Sequence, residues 1–397
     1  MKKGKIIYIG AFELPDKNAA AHRVLANGMI LRDLGYEVVF LGVDASRSNG
    51  SELAREDFFG FECWTAPRPI GIRFWARYVL GLDSILRFLR RDSSQGVRAV
   101  ICYNYPAFAQ LRIAKICRNM SARIISDATE WYDGSGGGFV YGAVKRFDTF
   151  LRMRVVHESA DGVITTSKYL TDLYKKKKKL VVELPTLFNA DKFKPPPSRK
   201  NTSRKRFVYV GSPFNPAKIN KKRSNTKERL DLCIDVFHEL HKEGRIFTFD
   251  IYGISQEDYL KVFPEHKDIL QEMADVVVFW GKRPNQYVTQ QIADSDFSIF
   301  FRDETRVTMA GFPSKLAESI SCGTPVICNS MTSCPCDATD EALLLAKHGE
   351  ELALVRNVLQ FSPSKMDGLK WRAYCSRAYD YRNYLDSVSD FMSRLDV

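Results

Sequence analysis

Ser314, Lys315 and Glu318 have the types and spacing that could do chemistry in this chain. Positions 314 and 318 are four apart and 315 and 318 three apart, so a helix would set all three on one face. Ser314 falls where such a helix would begin. Backbone N–H groups there bind phosphate, and a neighbouring lysine adds charge. Glu318, one turn deeper, would accept hydrogen bonds from sugar or ribose hydroxyls. The alternative is a solvated Lys–Glu pair on a surface helix, which contributes little. Arg302, at the end of the apolar run 297–301 (FSIFF), would bring a second cation to the same place.

The elements that must position these side chains lie in 311–329, GFPSKLAESISCGTPVICN. Pro313 is expected at the first helical position, where its missing N–H costs nothing. Gly323 is a C-terminal stop, and Pro325 cannot continue a helix. Residues 326–328 then read as a buried strand. With 297–301 as the preceding strand, the unit is strand, loop, helix, strand, one βαβ unit of a parallel sheet.

The same alternation runs through the chain. Strands are expected at 5–9, 37–41, 97–103, 123–126 and 161–166, then again at 206–210, 246–252 and 276–280. Helices are expected at 19–34, 107–120, 144–160 and 167–174, the last capped by Ser167. Another opens near Lys227, with Leu230, Ile234, Phe237 and Leu240 on one side. Residues 370–395 read as one long amphipathic helix. This pattern makes a doubly wound α/β sheet twice over. The polar, proline-led segment 195–206 separates the halves. The first turn has Gly10 but no G-x-G-x-x-G, which argues against a dinucleotide dehydrogenase.

Other candidates lie in loops beyond the carboxyl ends of strands, where α/β ligands bind. His22 and Arg23 stand at the start of the first helix. Asp127, Glu130 and Trp131 follow the strand 123–126 and lead into a glycine-rich stretch, 134–138. Carboxylates there would hold sugar hydroxyls and the indole would stack on a sugar face. The alternative is a capping Asp127 and a packing Trp131.

The 397 residues fit two or three domains, and 45% apolar content suffices for packed cores. The formal charge of +12 suggests an anionic partner. Lysines fill 175–179, and Lys221, Lys222 and Arg223 make a second cluster. No RNA-binding signature accompanies them, so nucleic acid is not an expected partner, whereas an anionic lipid surface is. The nine cysteines are scattered, and Cys334-Pro-Cys336 lacks the second pair a zinc site needs, so thiols reduced in a cytosol are expected. No apolar stretch is long enough to cross a bilayer.

The stretch GFPSKLAESISCGTPVI resembles the donor-binding segment of family-4 glycosyltransferases, and a subgroup that builds surface polysaccharides is similar in having FP-(S/T)-K before the glutamate. Many members carry two glutamates with seven residues between; here the second is Glu318 and the first position is Ala310. DGVITTSKYL (161–170) resembles the close of their first domain. LPTLFNADKFK (184–194) resembles their crossing segment, with Asn189, Asp191 and Phe193 retained and Ala190 in place of a glycine.

The resemblance implies a GT-B fold, two Rossmann-like doubly wound domains facing a cleft: residues 1–195 on the acceptor side, 204–365 on the donor side, and 366–397 packing back on the first domain. It implies donor contacts from Gly211, Ser212, Gly281, Arg283, Pro313 and Ser314, with a basic residue from Lys218 or Lys227. Lys315, Glu318, Arg302 and Lys227 become the catalytic set, and Arg23, His22, Asp127, Glu130 and Trp131 the acceptor side. The reaction implied is a retaining, metal-independent transfer from a nucleotide-diphosphate sugar to a glycan or lipid-linked glycan. No resident cofactor is expected, and the location implied is cytoplasmic, peripheral at the inner face of the membrane. Two rivals stand beside this reading: a nucleotide-sugar epimerase on the same fold, and a degenerate transferase kept as a binding subunit.

Overall fold

A computed structural model describes residues 3–15, 17–48, 51–81, 84–91, 96–131, 139–196, 204–214, 228–329 and 342–397. The first half contains β1 (Lys5–Gly10), β2 (Glu37–Asp44), β3 (Ala54–Phe58), β4 (Phe61–Pro67), β5 (Val97–Tyr103), β6 (Arg123–Ala128), β7 (Gly162–Thr165) and β8 (Val181–Glu183). They form one sheet in the order β3-β4-β2-β1-β5-β6-β7-β8, parallel except for β3 against β4. The second half contains β9 (Lys205–Val210), β10 (Phe247–Tyr252), β11 (Val277–Gly281), β12 (Phe297–Ile299), β13 (Val326–Asn329) and β14 (Leu343–Ala346). These make a parallel sheet in the order β11-β10-β9-β12-β13-β14. Helices cover both faces of a doubly wound sheet, so its central strands are apolar throughout: every residue of β1 is buried.

The expected strands are present, some shorter or longer by one to three residues. The β3–β4 hairpin is not legible from periodicity, because β3 (AREDF) is charged and half exposed. Its turn is Phe59-Gly60, with φ of 52° and 77°. Two left-handed residues in a two-residue loop match the twist of the strands they join.

Two expectations about helices need correction. Pro313 precedes the helix Ser314–Ser321 and occupies its cap position. The long helix expected over 370–395 is two: Pro363–Ser376, and Leu385–Arg394 after a 3₁₀ turn. Arg377, at φ 44°, breaks them. The first helix gives Met366 and Ala373 to the core of the second domain. The second lays Val388, Phe391 and Met392 on the first domain. The returning segment therefore begins near 377 rather than at 366.

A direct contact joins the domains at the short helix Arg306–Ala310. Ala310 is 0% exposed and lies in a cluster with Ala128, Met153, Leu170 and Tyr174 of the first domain. The Ser167 hydroxyl, which caps the helix Lys168–Lys176, donates to the Ala310 carbonyl at 2.9 Å. The position that the resemblance aligns with that family's first glutamate is thus filled by apolar packing between domains. Ala310→Glu forces a carboxylate into that packing and is expected to cost about 3 kcal/mol. A lowered midpoint of thermal unfolding would show it; an unchanged midpoint would mean that the domains stand apart in solution.

Candidate active site

Three strand ends make the floor of the cleft. Gly211 and Gly253 directly follow β9 and β10, and β11 finishes at Gly281, with φ of 118°, 105° and 65°. Gly211 N–H donates to Tyr252 O and Gly253 N–H to Gly281 O, both at 2.8 Å. A Cβ on Gly253 would lie 2.7 Å from the Gly211 backbone, so only glycine permits this approach.

Above this floor lies a cavity of about 370 Å³ between the domains. Gly211, Tyr252, Arg283, Ser314 and Glu318 line it from the second domain, and Asn18, His22 and Phe188 from the first. The structure therefore brings together His22, Gly211, Arg283, Ser314 and Glu318 of the residues singled out by sequence. His22 stands on the first turn of the helix Ala19–Asp33, which Asn18 caps by accepting from Ala21 N–H at 2.9 Å. Burial pushes the Glu318 carboxyl up, while hydrogen bonding to Thr289 and the Lys315 charge oppose that rise. A larger cavity of about 720 Å³ adjoins, between the helix Ala19–Asp33 and the helix Asn285–Asp294; His22, Phe188, Asn285 and Glu318 line both.

Beneath the floor is a buried charge cluster centred on Glu228, a residue sequence reasoning passed over. Glu228 is 5% exposed. One oxygen accepts from Arg302 Nη2 at 2.9 Å. The other accepts from Tyr209 OH at 2.6 Å and from Lys315 Nζ. Lys315 Nζ also sits 4.0 Å from the centre of the Tyr209 ring. Burial works to raise the Glu228 pKa, but the Lys315 and Arg302 charges and the hydrogen bonds from Lys315 and Tyr209 prevail and hold it at about 2. Burial and the neighbouring Arg302 charge push the Lys315 pKa down, against the upward pull of the Glu228 charge and hydrogen bond. Lys315 Nζ lies 3.2 Å from where a Gly211 Cβ would be. The absent side chain at Gly211 thus leaves the ammonium just under the cavity floor.

The remaining candidates are placed differently. Ser212 turns back, its hydroxyl donating to Phe214 O. Gly281 belongs to the glycine ladder, and Pro313 is buried ahead of its helix. Lys218 and Lys227 lie outside the described residues, as do residues 132–138 and Cys334-Pro-Cys336. Arg23 and Asp127, expected on the acceptor side, are buried against each other, Nη2 to Oδ1 at 2.7 Å. Arg23 also donates to Leu184 O at 2.6 Å, and Tyr8 OH donates to Asp127 at 2.5 Å with Asn27 Nδ2 donating to Tyr8 OH at 3.0 Å. This network pins the ends of β1, β6 and β8 together instead of facing the cavity. Trp131 stands at the domain seam, with the Arg306 guanidinium 5.1 Å from its ring, and Glu130 beside it is half-buried.

Two sheets facing a cleft, glycine-ended strands and a helix start at the cavity narrow the comparison with known proteins. Residues 204–362 match the family model of glycosyl transferases group 1. Sucrose-phosphate synthase (tll1590) from Thermosynechococcus elongatus superposes with a TM-score of 0.71 over 99% of both chains, at 12% identity. The chain has the GT-B fold. Other GT-B structures agree. HepE from Anabaena, in complex with UDP and glucose, gives a TM-score of 0.60 at 13% identity over 98% of this chain and 99% of its own. An E. coli trehalose-6-phosphate protein bound with UDP-2-fluoro glucose gives 0.64 at 8% identity over 98% of both. No curated protein matches by sequence. The family match over the second domain together with the GT-B fold supports a glycosyltransferase.

Proposed function

We propose that this protein transfers a sugar from a nucleotide-diphosphate donor to a glycan or lipid-linked glycan, with retention of anomeric configuration and without a metal, in surface polysaccharide synthesis. The observation that carries the donor site is the placement of the Lys315–Glu228–Arg302 cluster directly under Gly211, beside the start of the helix Ser314–Ser321. The donor's diphosphate lies over Gly211 against the N–H groups of that helix start. The nucleoside lies toward Tyr252 and Arg283, with Glu318 accepting from ribose hydroxyls. The sugar projects toward His22. As the bond from sugar to diphosphate breaks, negative charge builds on the departing phosphate, and the cluster stabilises it from below, with net charge +1 when all three groups are ionised. The complexes of HepE with UDP and UDP-glucose make UDP-sugars the first donors to try.

Titration with UDP-, GDP- and dTDP-sugars tests the reading, with binding or hydrolysis of at least one donor expected. Failure of all of them to bind or turn over sinks it. Turnover that requires an acceptor separates transfer from epimerisation, which needs the donor alone. Donor binding without turnover on any acceptor would favour a binding subunit. Glu318→Ala removes a charge-assisted hydrogen bond to the ribose and is expected to raise the donor KM about 10- to 100-fold. An unchanged KM would move the ribose away from Glu318.

A further inference from the structure

We infer that an outer face of the first domain docks on an anionic lipid bilayer. The face is built from the helices Ile72–Val79, Ala107–Asn119 and Phe139–Leu151. They are adjacent: Ala107 N–H donates to Asp148 Oδ1 at 2.8 Å, and the rings of Tyr78 and Tyr105 meet edge-on at 5.2 Å. Large apolar side chains that the core does not take stand out on all three. Ile72 is 88% exposed, Phe147 and Phe150 are 57% exposed, and Phe108, Leu111 and Val144 are exposed with them. A monomeric soluble protein rarely leaves such a patch without a use.

Charge decides the occupant. The helices IRFWARYV and AFAQLRIAKICRN contain no acidic residue. The third contains one within these bounds, Asp148, which is engaged by the Ala107 N–H. Arg73, Arg112, Lys115, Arg146 and, just past the third helix, Arg154 stand exposed among the apolar side chains. Aromatic and aliphatic groups interleaved with cations on surface helices suit the headgroup–acyl boundary, where apolar groups enter and cations meet lipid phosphates. Exposed lysines at the end of the helix Lys168–Lys176 continue the field, and Lys177 there pairs with Glu158 just beyond the same helical run. No described helix is long and apolar enough to cross a membrane. This surface goes beyond the transfer reaction and stands or falls without it.

The test is sedimentation of the full chain with vesicles of phosphatidylglycerol and phosphatidylcholine, against phosphatidylcholine alone. Partition is expected to be at least about tenfold stronger on the anionic vesicles and to weaken with added salt. Phe147→Ser with Phe150→Ser is expected to weaken it about tenfold while the thermal midpoint is kept. Arg112→Glu with Lys115→Glu should do the same. No binding to either vesicle, equal binding to both, or full binding by the phenylalanine variant overturns the proposal; capture of an acidic protein in place of vesicles would do so too. Donor binding measured on the same sample without lipid separates failure of this surface from failure of the transferase reading.

Discussion

Glu228→Gln is expected to lower folding stability by about 3–5 kcal/mol. Glutamine keeps the shape and a partner for Tyr209 OH, but it leaves the Lys315 and Arg302 charges buried with no carboxylate between them. Urea unfolding reads the loss. Adding Lys315→Met should restore part of it, since the two changes act on one cluster. The pH dependence has a defined sign. Glu228 titrates at about 2 in the folded protein against an ordinary 4.5. A carboxylate depressed by folding stabilises at pH values above its unfolded pKa, and that contribution, on the order of 3 kcal/mol, is lost as pH falls from about 4.5 toward 2. The variant should lack this part of the acid-side decline. A loss below about 1 kcal/mol would show that the two cations reach solvent through the cleft.

Lys315→Ala is expected to have the largest effect on turnover, a fall of about 10²- to 10³-fold. The fold should tolerate this change better than the loss of Glu228, because Arg302 and Glu228 remain as a one-to-one pair at 2.9 Å. The ammonium it removes lies 3.2 Å from where a Gly211 Cβ would be, close to the proposed leaving phosphate. Full activity in this variant would remove Lys315 from the transferase site.

The sheets were legible because parallel strands covered on both faces write themselves as apolar runs, as in KIIYIG and VRAVICY. The helix carrying Ser314 and Glu318 was legible because Gly323, at φ 75°, and Pro325 mark its end. What could not be read was pairing over distance. Glu228 meets Arg302 and Lys315 across 74 and 87 positions of chain, and Arg23 meets Asp127 across 104. Charged residues near strand ends look alike whether they face a ligand or pin two loops. The expectation that Arg23 and Asp127 face an acceptor took the first meaning where the fold uses the second. The break at Arg377 was hidden for a related reason. Residues on both sides of it are buried, first in the second domain and then in the first, so apolar spacing runs on through the turn.

The polypeptide passes between the lobes twice, and the two passes are stitched side by side. Phe188 N–H donates to Tyr379 O at 2.9 Å and Tyr381 N–H to Phe188 O at 3.0 Å, while Asp191 clasps Arg377 and Arg382. A joint made of two bonded ribbons resists torsion where a lone tether would swivel. Phe188, in the first of the two passes, also holds its ring 6.4 Å from that of His22, so the joint itself keeps His22 at its station over the glycine floor.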